Sequence, residues 1–153
     1  MKITLAKALK LKNRLIGKLQ VYISQIQKEN CIIEGNTRQF NLIETLMKIN
    51  SIYEHLKTLK CKIAEKNIAI NQYIFSIVDS KQMICFWNSL NTKSGIEYVY
   101  DKEVKYASYF ISVKAQECVS QLENEIDTLQ EKIDAYNATT HIEIDYDIEE
   151  LLQ

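Results

Sequence analysis

"LENEIDTLQEKIDAYNATTHIEID", residues 122–145, changes its repeat halfway along. Leu122, Ile126, Leu129, Ile133 and Tyr136 recur every three or four positions. With Val119 upstream they make one apolar stripe, which predicts a packed helix over about residues 113–136. At Asn137 the repeat stops. Asn tolerates left-handed backbone angles and can end a helix. Thr139 and Thr140 are β-branched and favour extended backbone. The alternation of "HIEID" then reads as a short strand.

Immediately upstream, "IEYVYDKEVKYASYFIS" is rich in Tyr, Val and Ile and partly alternates. Val104, Tyr106, Ser108 and Phe110 would share one side of a strand, with Lys105, Ala107, Tyr109 and Ile111 on the other. Ser112 suits the cap of the helix that follows. A strand, a helix and a strand in that order predict a parallel pair between residues 104–111 and "HIEID".

Farther toward the N-terminus the chain reads as helix. Residues 72–90 carry Ile74, Phe75, Ile77, Val78, Met83, Ile84, Phe86, Trp87 and Leu90, so the helix is apolar around most of its circumference. Such a helix must be buried on more than one side, by its own bundle or by another subunit. Phe75, Met83, Phe86 and Trp87 are the candidate self-association surface. "NTKSG", ending at Gly95, closes this helix. Residues 38–66 form a second helix with a seam of Leu42, Ile49, Ile52, Leu56, Leu59 and Ile63. Leu46, Met47 and Tyr53 widen its apolar face toward that of a bundle helix. "KNIAIN", residues 66–71, reads either as a kink or as part of one continuous helix. "EGNTRQ" is a turn with Thr37 as a candidate cap. The first helix, about residues 4–30, places Leu5, Leu9, Ile16, Leu19, Ile23 and Ile26 on its seam, with polar Lys12 among them. Lys7, Lys10, Arg14 and Lys18 project opposite, as a candidate anion-contacting face. Gly17 weakens this helix by about 1 kcal/mol relative to Ala.

Composition agrees with long helices: 153 residues, 46% hydrophobic, three Gly and no Pro. The length supports one domain with a core. Net charge is −1, yet residues 1–28 hold seven basic side chains and no acidic one, whereas residues 121–153 hold ten acidic and one basic. That asymmetry implies complementary halves or a charged partner. Lys interrupts every apolar run near the N-terminus, so it does not read as a secretory signal. No stretch reaches the ~18 apolar residues of a membrane-spanning helix. Cys31, Cys61, Cys85 and Cys118 are widely spaced without a CxxC pair, which favours reduced thiols in a cytoplasmic protein over zinc or a disulfide scaffold.

The motifs of common catalytic chemistry are absent: no P-loop, GxGxxG, GxSxG or HExxH occurs. His55 sits mid-helix as a structural residue. His141, Glu143 and Asp145 alternate on one strand face, but a metal would need further ligands. Glu123, Asp127, Glu131 and Asp134 form a helical stripe that reads as a solvated flank. The sequon Asn137-Ala138-Thr139 is better explained by helix capping. The basic face lacks the aromatic residues that stack on single-stranded nucleic acid.

"MKITLAKALKLKNRL" and "LENEIDTLQEKIDAYNATTHIEID" resemble the ends of a family of small helical bacterial proteins, some labelled septicolysin-like after a pore-forming toxin. The layout is similar too: basic first helix, Asn-marked break near Asn67, loop near Gly95, terminal helix and Asn-x-Thr-Thr. The resemblance supplies no catalytic residues, and its toxin label implies a membrane-active protein.

Together these features predict a mainly α (α+β) fold. Its bundle of long antiparallel coiled-coil-like helices would carry a small two-stranded β element near the C-terminus. Residues 1–153 form a single domain, and the acidic tail at 146–153 is frayed or a short helix. The expected role is a non-enzymatic, cofactor-free bacterial scaffold that forms a homo-oligomer, most simply a dimer. A membrane-active protein is the alternative, and a weak nucleic-acid-binding bundle is third.

Overall fold

A computed structural model describes residues 1–144 and is 70% helical. The acidic tail expected to fray lies outside the described residues. The elements run β1 (Lys2–Thr4), α1 (Leu5–Glu29), α2 (Leu42–Asn67), a 3-10 turn (Ile68–Ile70), α3 (Asn71–Ser89), β2 (Gly95–Val99), β3 (Lys102–Tyr106), α4 (Ser112–Thr139) and β4 (His141–Glu143). The fold is mainly α with small β elements, as expected. "KNIAIN" resolves into the 3-10 turn, within a helical run of 48 residues.

The chain divides into two compact units. The first holds β1, α1, α2, the last turn of α4, and β4. Thr4 caps α1, its hydroxyl accepting from Lys7 N–H at 3.2 Å. The deepest residues of α1 are Leu5, Ala8, Leu11 and Leu15, with Leu9, Ile16 and Leu19 flanking them. The buried stripe is thus rotated from the expected seam toward the residues that meet α2. From α2 come Ile52, Leu56, Leu59 and Ile63. The pair is antiparallel: the Lys48 ammonium lies over the Tyr22 ring at 5.8 Å, while Lys2 shares a depression with Lys62 and Lys66 at the other end. Leu46, Met47 and Tyr53 do not join this core; they are exposed.

The connection from α1 to α2 is tied down by Glu29 and Arg38. The Glu29 carboxylate is buried and accepts N–H groups of Gln39 at 2.7 Å and Phe40 at 3.3 Å. Arg38 Nε donates back to the Glu29 carbonyl at 3.1 Å, satisfying the end of α1. Arg38 is therefore not the start of the second helix, and Thr37 is not its cap. Asn41 is: its side chain accepts from Ile43 and Glu44 N–H and donates to the Glu44 carboxylate at 2.8 Å. This reciprocal arrangement resembles a capping box.

Strand pairing corrects the expectation. β4 does not lie parallel beside residues 104–111. It pairs antiparallel with β1, in the register Lys2↔Glu143, Ile3↔Ile142, Thr4↔His141. Ile3, Ile142 and Ile144 point into the core while Lys2, His141 and Glu143 face outward, so "HIEI" alternates as expected, and Asp145 lies outside the described residues. The Met1 amino group donates to the Ile144 carbonyl, and Leu5 N–H donates to the Thr140 carbonyl at 2.7 Å. Asn137 does not end α4 either. The helix runs on to Thr139, whose hydroxyl bonds the Ala135 carbonyl at 2.9 Å.

The second unit, Ile70–Asp134, holds α3, the β2–β3 hairpin and most of α4. Residues 95–106 fold on themselves as an antiparallel ribbon, register Gly95↔Tyr106 to Val99↔Lys102. Its turn places Tyr100 and Asp101 at φ 49° and 60°. Both central residues at positive φ match a type I′ turn, which usually recruits Asn-Gly or Asp-Gly. α4 begins at Ser112, with the Ile111 carbonyl accepting from Ala115 N–H at 3.1 Å, so Ser112 lies inside the helix rather than capping it. α3 and α4 are antiparallel: Tyr73 meets Lys132 across a cation–π contact of 5.6 Å, and Trp87 shares a groove with Cys118 and Leu122. Val119, Leu122, Ile126 and Leu129 are half-buried and Ile133 buried, as their seam predicts.

Candidate self-association surface

α3 carries few charges, only Asp79 and Lys81 between Asn71 and Ser89. At about 100° per residue its positions divide into two opposed faces. Tyr73, Ile77, Ser80, Ile84 and Trp87 project on the inner face; Ile77 and Ser80 are buried and the others half-buried. The outer face holds Phe75, Val78, Gln82, Cys85, Phe86 and Ser89, all exposed. Phe75 is 63% exposed, Val78 47% and Phe86 46%. Phe75, Val78, Gln82, Cys85 and Ser89 alternate steps of three and four, the spacing of a coiled-coil seam.

The four residues expected to mediate self-association therefore separate. Phe75 and Phe86 lie on the outer face. Met83 and Trp87 instead line a groove of about 290 Å³ between α3 and α4, with Cys118, Gln121, Leu122 and Glu125. Trp87 is also the hub of an aromatic chain. Its ring meets Phe86 and Phe110 edge-on at 5.4 Å each, and Phe110 meets Tyr109 at 5.0 Å. These contacts hold the segment between β3 and α4 against the end of α3. Val78, Gln82 and Cys85 were not among the expected surface residues. Their signal is the three-four spacing outside the inner seam, which the overall apolarity of the helix obscures.

The expected anion-contacting face is also altered. Lys7, Lys10 and Arg14 are exposed, but Lys18 is half-buried, its ammonium 5.6 Å from the Tyr22 ring centroid. A separate depression of about 340 Å³ gathers Lys2, Lys62, Lys66 and His141 with Glu65 and Glu143. Its carboxylates interleave with the ammonium groups, and Lys62 Nζ already donates to the Glu143 carbonyl at 2.7 Å. That mixed-sign lining weakens its attraction for an anion.

Other candidates take structural places. His55 Nδ1 lies 2.6 Å from the Ser51 carbonyl, one turn back in α2. Glu123, Asp127, Glu131 and Asp134 are all exposed on α4. All four cysteines are free, with Cys118 half-buried and the others exposed. Beside the hairpin, a hydrogen bond to the Glu97 carboxylate pushes the Lys93 pKa up. Among the described residues no cluster of three His, Cys, Asp or Glu can hold a metal ion, and no helix is long and apolar enough to cross a membrane. Comparisons with protein-family models, curated proteins and solved structures find no match to this chain.

Proposed function

We propose that this chain is a non-enzymatic, self-associating helical scaffold, working in the bacterial cytoplasm as a homodimer. One observation carries the reading: α3 displays Phe75, Val78 and Phe86 on a face its own unit leaves in water. Exposed apolar side chains scattered singly are ordinary, but a seam-spaced stripe with a nearly uncharged surround is a contact surface. A second copy supplies a matching stripe, and both surfaces leave water together.

Sedimentation velocity at high micromolar concentration tests this. The dimer is expected, and replacing Phe75, Val78 and Phe86 together with Ser should return it to monomer with its helix content unchanged. A wild-type monomer at that concentration overturns the proposal. Exposure of Lys7, Lys10 and Arg14 favours a second reading, contact with an anionic membrane surface. Leakage of anionic vesicles would support it, in line with the septicolysin-like resemblance. Salt-dependent binding to DNA or RNA would instead support the nucleic-acid reading.

A further inference from the structure

We infer that the basic side of the first unit, at Lys18 and Lys48, is a docking site for the acidic segment of the same chain, residues 145–153. Where the described chain ends sets the direction. Leu5 N–H donates to the Thr140 carbonyl at 2.7 Å and Tyr136 Oη to the Lys66 carbonyl at 2.9 Å, so β4 starts beside the C-terminal end of α2. At the far end of β4, Lys62 Nζ holds the Glu143 carbonyl at 2.7 Å. From Thr140 to Glu143 the chain thus steps back along α2, from the level of Lys66 to that of Lys62. Ile144 then enters the core with Leu15, Leu56 and Leu59, and its N–H donates to the Met1 carbonyl at 2.8 Å. The last described residue therefore points the chain along the α1–α2 pair, toward Lys48.

Lys48 and Lys62 lie about four helical turns apart on one face of α2. There the Lys48 ammonium is 5.8 Å from the centroid of the Tyr22 ring, and Lys18 of α1 approaches the same ring at 5.6 Å. Two like charges converge on one half-buried tyrosine, and among the described residues neither has a carboxylate partner. Convergent ammonium groups raise the local positive potential and favour an anionic occupant. Arg14, one turn before Lys18, is exposed on the same side of α1. Residues 145–153 carry the opposite charge: Asp145, Asp147, Glu149 and Glu150, with no basic residue. Charge also selects between the units. Residues 1–69 hold 13 basic and five acidic side chains, whereas residues 70–134 hold six basic and ten acidic. The length fits as well: Lys62 and Lys48 are about 21 Å apart along α2, and six extended residues span about 20 Å. Glu149 and Glu150 then come level with Lys48. Lys57, on the opposite face of α2, is already paired with Glu54 at 3.9 Å.

Zero-length coupling of the unsubstituted chain tests the docking. A water-soluble carbodiimide activates a carboxylate, a neighbouring lysine amine attacks it, and an amide forms as the reagent leaves as a urea. Digestion should show Glu149 or Glu150 linked to Lys18 or Lys48. In a mixture of isotope-labelled and unlabelled chains, those links should join residues of one chain. In about 1 M salt, where the Debye length is ~3 Å, they should fall about tenfold. A second measurement uses a fluorescent peptide of residues 145–153. It should bind a full-length chain carrying Asp145→Asn, Asp147→Asn, Glu149→Gln and Glu150→Gln about tenfold more tightly than the unsubstituted chain, whose own segment occupies the site. Adding Lys18→Gln and Lys48→Gln should remove that gain. Absence of these links, links to Lys57 as frequent as those to Lys18 and Lys48, links only between chains, or equal peptide binding by the neutral-tail and unsubstituted chains would each overturn the docking. None of these readouts involves α3, so the docking and the self-association stand or fall separately.

Discussion

The first unit has the deeper core, although it too leaves Ile33, Ile43, Leu46, Met47, Tyr53 and Ile68 exposed. Leu5, Leu15, Leu59 and Ile144 have essentially no exposed surface, and all belong to the unit built from α1, α2, β1 and β4. In the second unit the buried apolar residues are Ile70, Ile77, Ala115 and Ile133, while Phe75, Val78, Met83, Phe86, Ile96 and Phe110 stay substantially exposed. Both are built from an antiparallel helix pair plus a two-stranded ribbon. The difference lies in what the ribbon does. β1–β4 contributes Ile3 and Ile142 to the core, with Ile144 just after β4, whereas β2–β3 leaves Ile96 and Tyr98 in water. A two-stranded ribbon is marginal alone and must be packed on something. The first unit thus has a ribbon that helps close its core, whereas the hairpin of the second adds no buried residue.

The largest expected effect sharpens that contrast. Leu59→Ala should destabilise the first unit by about 2–5 kcal/mol, because a fully buried leucine leaves a cavity. Phe75→Ala, on the outer face of α3, should change monomer stability by less than about 0.5 kcal/mol. Chemical denaturation of both variants at low concentration measures this; equal losses would erase the distinction between the units. Next comes Glu29→Ala, which strands the N–H groups of Gln39 and Phe40 and should cost about 1–3 kcal/mol. Limited proteolysis should then cut faster within the loop between α1 and α2.

Much of this contrast was legible in the residues. The seams of α2 and α4 follow apolar spacing directly, because each packs one stripe against one neighbour. The pairing of β1 with β4 was not, since "KIT" is too short to show a period and its partner lies at the other end of the chain. The hairpin was obscured by its turn: Tyr100-Asp101 adopts positive φ without the glycine that usually marks such a bend. Asn137 misled because an interior Asn can also sit in a helix whose end is set by a tertiary bond, here Leu5 N–H to the Thr140 carbonyl. For the candidate surface, Phe75 and Phe86 were recognisable as apolar residues. Their separation from Met83 and Trp87 depends on which face α4 covers, and only the packed structure supplies that.

Two smaller effects follow. Gly17 lies exposed inside α1, and an added Cβ would meet no atom within 4 Å. Gly17→Ala should stabilise the first unit by about 0.5–1 kcal/mol through helix propensity, read as a raised denaturation midpoint. An unchanged midpoint would mean that α1 is not the helix limiting stability. Changing Lys7, Lys10 and Arg14 together to Gln should leave stability within about 0.5 kcal/mol, since the three side chains are exposed. Circular dichroism melts check this, and unfolding would show that the basic face is held by partners rather than by water.

Hydrogen exchange as a function of protein concentration compares the two units most directly. From low to high micromolar concentration, amides of α3 between Phe75 and Ser89 should gain protection, while those of α1 and α2 around Leu15 and Leu59 stay constant. Protection of α3 that is already complete at the lowest concentration and does not change would contradict a surface completed by a second copy.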